Sequence, residues 1–148
     1  MRGGGSLDRA EPMISALGMR MHPEGGWYVK TWRADEPADG GRSAASAILF
    51  LLQAGERSHW HRLDVDEVWQ WSGGEALDLR VHPTDGTPPG VIRLGPAGED
   101  GVVPQAVVPA GAWQSAEPVG AWTLVGCICV PAFDFAGFEL APPDWSPG

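Results

Sequence analysis

Lysine is nearly missing from this chain: its ten basic residues are Lys30 and otherwise arginine, set against nineteen acidic ones. The net charge of −9 argues against nucleic acid, whose affinity comes largely from Lys and Arg meeting phosphates, and against anionic membrane surfaces. There is no apolar run near the roughly 20 residues of a membrane span. The longest, Ala44 to Leu52, is broken by Ser46 and reads as a buried strand. No N-terminal stretch looks like a signal peptide, which leads us to expect a cytoplasmic protein. Cysteine is limited to Cys127 and Cys129. Two residues apart on a strand, they share a face and are poorly placed for a disulfide, and no second pair completes a zinc ribbon. They read as buried strand cysteines.

Glycine (21) and proline (14) are plentiful, yet eight tryptophans accompany them. Disordered chains are poor in aromatics, so this composition points to short strands joined by tight turns. Residues 9–17 read as one short helix, with Asp8 as its cap, Pro12 in its first turn and Gly18 as its stop. Residues 1–8 read as a flexible tail and 9–148 as one domain. Strand signals follow at 26–33, 44–52, 67–71, 76–82, 91–94, 106–109 and 121–130, each bounded by Gly, Pro, Asp or Ser. Without a second helical pattern between them, the expectation is an all-β antiparallel sandwich or barrel.

The stretch Gly55 to Gly74 carries the densest chemistry. His59 and His61 form a His-x-His pair, which the two-residue period of a strand would put on one face. With Glu67 as a carboxylate, two imidazoles make a facial set suited to one divalent ion, Fe, Mn, Ni, Cu or Zn. Trp69 and Trp71 share the parity of Glu67 and would wall that group. A second stretch, Pro109-Ala-Gly111-Ala-Trp113-Gln114, makes a tight turn into a strand and delivers Gln114.

These two stretches resemble the paired motifs of the cupin superfamily, a jelly-roll barrel or double-stranded β-helix. From about Leu17 onward the chain resembles a compact cupin family. The matching residues are His22-Pro-Glu-Gly-Gly-Trp27-Tyr28, Thr31-x-Arg33, Gly55-Glu-x-Ser58, His61-Arg62, Asp66-Glu67-x-Trp69, Gly73, Leu94-Gly95, Val108-Pro109, Trp113-Gln114 and Gly126-Cys-x-Cys-Val-Pro-x-Phe133-Asp134-Phe135-x-x-Phe138-Glu139-Leu140. The general pattern is not fully kept. Five residues separate His61 from Glu67, where cupins usually have three or four, and Gln114 stands where the last metal histidine would stand. The resemblance therefore implies a site of His59, His61 and Glu67, with Gln114 as a weak fourth metal ligand or a substrate hydrogen-bonder. In the narrower family the first histidine of the pair is not a fixed feature.

Around this centre, His61, Glu67 and Tyr28 are candidate catalytic groups. Trp27, Arg33, Trp69, Trp113, Gln114 and Asp134 are candidate substrate contacts, Arg33 as a clamp for a carboxylate or phosphate. The His22–Tyr28 segment reads equally well as a strand-leading turn or as part of a site. Three functions fit. One is acid–base chemistry (isomerisation, epimerisation or elimination) on a carbohydrate-like or oxo-acid substrate, with or without a metal and with His61 as base. The resemblance, which extends to sugar-nucleotide epimerases, suggests that substrate class. The second is iron-dependent oxygen chemistry, and the third is non-catalytic binding of a small ligand. The resemblance also implies a homodimer.

Overall fold

The computed structural model describes residues 2–148, with side chains from Ala10 onward. One helix, α1 (Arg2–Leu17), precedes β1 (Arg20–Met21), β2 (Trp27–Arg33), β3 (Ser46–Gln53), β4 (Ser58–Leu63), β5 (Asp66–Gly74), β6 (Leu77–His82), β7 (Gly90–Leu94), β8 (Gln105–Val108), β9 (Trp113–Pro118), β10 (Trp122–Val130) and β11 (Phe138–Leu140). The strands form two antiparallel sheets, β1-β2-β3-β10-β5-β8 and β11-β4-β9-β6-β7. This is the jelly roll that the cupin resemblance implies, within the antiparallel sandwich or barrel that the strand signals predict, and each anticipated strand is found within two or three residues of its expected ends. β1, β4, β9 and β11 were not among those strand signals: β4 and β9 carry the His59–His61 pair and Gln114, and β1 and β11 are very short.

The helix starts well before the expected position, so Pro12 lies inside it rather than in its first turn. Asp8, expected as its cap, therefore lies within the helix, and residues 2–8, expected as a tail, belong to the helical span. Tertiary packing holds the helix despite its proline: Ala10, Met13 and Ile14 lie against Leu49, Leu51 and Trp122 on the outer face of the first sheet. It ends as expected at Gly18, whose φ of +69° lets Gly18 N bond Ser15 O and Met19 N bond Ile14 O.

β3 shows why its sequence is so uniformly apolar. Leu49 and Leu51 face the helix, while Phe50 and Leu52 join Leu77, Leu79, Leu94 and Val125 between the sheets. A strand covered on both faces loses polar alternation. The apolar packing fills one end of the barrel. The other end stays open and holds the polar groups.

Candidate functional site

The open end is a cavity of about 540 Å³. Along β5, Glu67 faces inward two residues before Trp69, as strand parity requires. Its ladder neighbour on β10 is Cys129, and Trp69 pairs with Cys127. From the opposite sheet, His61 on β4 is paired directly with Gln114 on β9. Gln114 ties the two sheets together. Its amide nitrogen donates to Glu67 Oε1 (3.0 Å), and its oxygen accepts from Trp69 Nε1 (3.0 Å).

His59 does not join His61. The ladder between β4 and β9 slips between Ser58 and His61, so Ser58 and His61 are both buried while His59 and Trp60 turn outward. A β-bulge adds one residue and inverts the period-two rule that pairs i with i+2. His59 instead bonds Pro142 O through Nε2 (2.9 Å).

The bulge is matched to the turn between β1 and β2. The carbonyl of Glu24 accepts from His59 N (2.8 Å), and Gly25 N from the same turn donates to His22 O. Gly25 has φ +110°, and a side chain there would sit 2.1 Å from Arg57 O. Only glycine allows so close an approach. The turn thereby carries His22 and Glu24 into the cavity, two residues that sequence reasoning left undecided as a strand-leading turn. Ser58 Oγ donates to Glu24 Oε2. Glu24 Oε1 lies 3.4 Å from His61 Nε2 and 3.4 Å from His22 Nδ1. A buried Glu and His around Pro and paired Gly was the available signal, because burying such groups is costly unless they are partnered.

The proton positions follow from the partners. His61 Nδ1 is 2.8 Å from the His59 carbonyl, which can only accept, so Nδ1 carries the hydrogen and Nε2 of the neutral ring offers a lone pair. Facing Glu24 Oε1, that lone pair requires a proton between them. Burial raises the Glu24 pKa and lowers that of His61, and both shifts favour the arrangement in which Glu24 holds the proton. Burial also lowers the His22 pKa. It pushes Glu67 up to about 7, with the nearby Glu24 adding to the rise and His61 opposing it. The thiols of Cys127 and Cys129 are free, line the same face and are held protonated by burial.

Of the other expected contacts, Tyr28, Arg33, Trp69 and Asp134 line the cavity. Tyr28 stacks edge-on against His22 at 4.7 Å. Asp134 also caps the turn that follows it, accepting from Ala136 N. Two expectations need correction. Trp27 packs beneath the helix and donates to Glu56 Oε2, since it has the opposite parity from Tyr28. Trp113 likewise has the opposite parity from Gln114 and lies on the outer surface, between Trp145 at 4.5 Å and the Arg62 guanidinium at 4.7 Å. The set His59, His61, Glu67 and Gln114 is therefore not assembled as a metal centre. His59 faces away and the Gln114 oxygen is held by Trp69. Among the described residues no group of three or more His, Cys, Asp or Glu is arranged to hold a metal ion.

Two antiparallel sheets enclosing a polar cavity at one end define a cupin. The chain belongs to the family described as Cupin superfamily (DUF985), which matches residues 11–141. It is similar to a solved protein from Shewanella oneidensis, 35% identical over 89% of this chain and 84% of that one, with a TM-score of 0.83. A protein from Leishmania major is 32% identical over 89% and 86% of the two chains, with a TM-score of 0.80. Oxalate decarboxylase from Bacillus subtilis shares the fold alone, at 11% identity and a TM-score of 0.63, over 86% of this chain and 30% of that one. No curated protein matches. No helix among the described residues is long and apolar enough to cross a membrane.

Proposed function

We propose that the open end of the barrel is a proton-transfer site acting on a small molecule beside a carbonyl group, in the manner of an isomerase, epimerase or lyase. One observation carries this reading. Two proton-holding units, Glu67 and the Glu24–His61 pair, face one cavity, where burial raises both carboxyl pKa values and lowers that of His61. Buried groups whose ordinary values are shifted toward the working pH can hold and release protons there, which is what acid–base catalysis requires.

The roles follow from the hydrogen bonds. Glu67 has one oxygen bound by Gln114, and near neutral pH a substantial fraction of it is ionised, which suits a base. Glu24, with its proton on Oε1, suits the acid. Its conjugate carboxylate would be held by the Ser58 hydroxyl. The proton leaving carbon passes to Glu67, and the carbonyl oxygen gains one from Glu24. Returning the protons in another order completes an isomerisation with no net change in charge. The base role thus moves from His61, the sequence-based choice, to Glu67, because His61 Nε2 is turned toward Glu24.

Metal chemistry is the competing reading. The oxalate decarboxylase of Bacillus subtilis has Mn(II) centres, but here His59 turns away to Pro142 O and the Gln114 oxygen is taken by Trp69, which leaves only His61 and Glu67 of the four candidate ligands. No step is assigned to a metal. The test is exchange of carbon-bound hydrogen in D₂O, followed by proton NMR over a panel of small oxo-acids and hydroxy-ketones. Wild type is expected to exchange at least one compound, with Glu67→Gln slowing it by about 10²-fold or more. Binding without exchange, or exchange unaffected by Glu67→Gln, contradicts the assignment and favours a binding module.

A further inference from the structure

The cavity sorts its charges by position. Its deep end holds Glu24 and Glu67, while Lys30 and Arg33 line its exposed side on β2; Asp134, the remaining carboxylate of the lining, accepts from Ala136 N. Strand parity alone would not put residues three apart on one face. The ladder between β2 and β3 slips between Lys30 and Trp32, so that Lys30 pairs with Ile48 and Arg33 with Ser46. Both Ile48 and Ser46 line the cavity. The bulge thus brings the chain's sole lysine and a neighbouring arginine to the same opening.

These cations differ from four arginines elsewhere on the protein, although Arg20 and Arg57, which lie outside this cavity, are likewise without a carboxylate in ion-pair distance among the described residues. Arg42, Arg62, Arg80 and Arg93 each pair with a carboxylate, namely Asp64, Glu139, Glu117 and Asp78. Among the described residues neither Lys30 nor Arg33 has an acidic partner within ion-pair distance. Arg33 uses one nitrogen on Phe133 O (2.9 Å), leaving further donors of its guanidinium fork free. Between the cations and the acids the wall is apolar, formed by Ile48, Phe50, Leu63, Trp69 and Phe133. The row Arg33–Ser46–Cys129–Glu67 spans three inter-strand steps, about 14 Å along the sheet.

We propose that the substrate is a small organic anion, a carboxylate or phosphate monoester with an apolar or ring-bearing body, held by Lys30 and Arg33 at the opening. This inference rests on the proton-transfer reading for the orientation it gives. The anionic group stays at the opening, because Glu24 and Glu67 repel it from the deep end, and the reacting carbon is presented to Glu67. It also decides between the two substrate classes that the family resemblance suggests, in favour of the acid over a neutral sugar. A net charge of −9 repels anions at long range, so binding depends on these two local cations.

The test is calorimetric titration with hydrocinnamate, phenyl phosphate and the neutral hydrocinnamide, on wild type and on Lys30→Gln, Lys30→Gln/Arg33→Gln and Glu67→Gln. Wild type is expected to bind at least one anion about tenfold more tightly than the amide, with the preference shrinking at high salt. Lys30→Gln should weaken the preference and the double variant should abolish it, while binding of the amide is unchanged. Glu67→Gln should keep the preference, so loss of proton exchange in that variant stays separable from loss of anion recognition. Equal affinities for acid and amide, no binding of either anion, or a preference retained in the double variant overturns the proposal. A preference that holds while no compound exchanges hydrogen overturns the proton-transfer reading alone.

Discussion

The two ends of the barrel interior are built by the same strands and differ in almost every other respect. On β3, Phe50 and Leu52 serve the closed end, and Ser46 and Ile48 the open one. On β10, Val125 packs among leucines, while Cys127 and Cys129 line the cavity. At the closed end the second sheet replies with Leu77, Leu79 and Leu94. At the open end it replies with His61, Leu63 and Gln114. The closed end contributes stability by removing apolar surface from water. The open end buries His22, Glu24, His61 and Glu67, partnered among themselves and by Ser58 and Gln114, an arrangement that costs stability and holds reactive protonation states. One frame supports both because His22, Glu24 and His61 are placed by irregularities, the glycine turn before β2 and the bulge in β4, while Glu67 and Gln114 keep to the regular ladder.

Substitutions can break this comparison, the largest effects being expected at the closed end. Leu77→Ala or Leu79→Ala should each cost about 2–5 kcal/mol in denaturant unfolding, since both are fully enclosed. Such losses would leave the proton chemistry intact wherever the fold survives.

The open end should respond in the opposite sense. The folded state raises the Glu67 pKa from about 4.5 to about 7, so the folded chain binds more protons than the unfolded one between those values. Stability from this group is therefore present at low pH, falls as pH rises through that window and stays low above it. Glu67→Gln removes the charge while keeping an acceptor for Gln114. It should stabilise the protein at pH 8 by up to about 3 kcal/mol and have no such effect below pH 4. His61 and His22 act in reverse: their lowered values make the folded state lose stability as pH falls below about 6.5. Thermal unfolding across pH checks both signs.

Smaller effects separate the two histidines of the His-x-His pair. His59→Ala should cost about 1 kcal/mol through its bond to Pro142 O and leave hydrogen exchange unchanged. His61→Asn should suppress exchange. Smallest of all, Arg62→Ala on the outer surface removes an exposed ion pair with Glu139 and the stacking on Trp113, for about 1 kcal/mol or less.

Much of this was legible in the residues. β3 and β10 announce themselves by apolar runs bounded by turn residues. His61, Glu67, Trp69 and Gln114 sit where strand parity and the cupin resemblance both put them. The failures share one cause. Parity predicts His59 beside His61, but a single inserted residue reverses it, and no side-chain pattern in Ser58-His-Trp-His61 marks that insertion. Parity also carries Trp27 and Trp113 outward once Tyr28 and Gln114 face in, a conclusion that needed the inward residue of each pair to be known. Glu24 enters the site through backbone contacts of a glycine turn with β4, which are long-range and leave no periodic trace.

The protonation states of Glu67 and His61 test the central claim most directly. Carboxyl ¹³C shifts of Glu67 and ring ¹⁵N shifts of His61 can be followed by NMR from pH 4 to 9. The account predicts a Glu67 titration near pH 7 and a His61 ring that stays neutral at pH 7, with its hydrogen on Nδ1. A Glu67 carboxyl ionised with a midpoint near 4.5, beside a His61 that is imidazolium at pH 7, would contradict it.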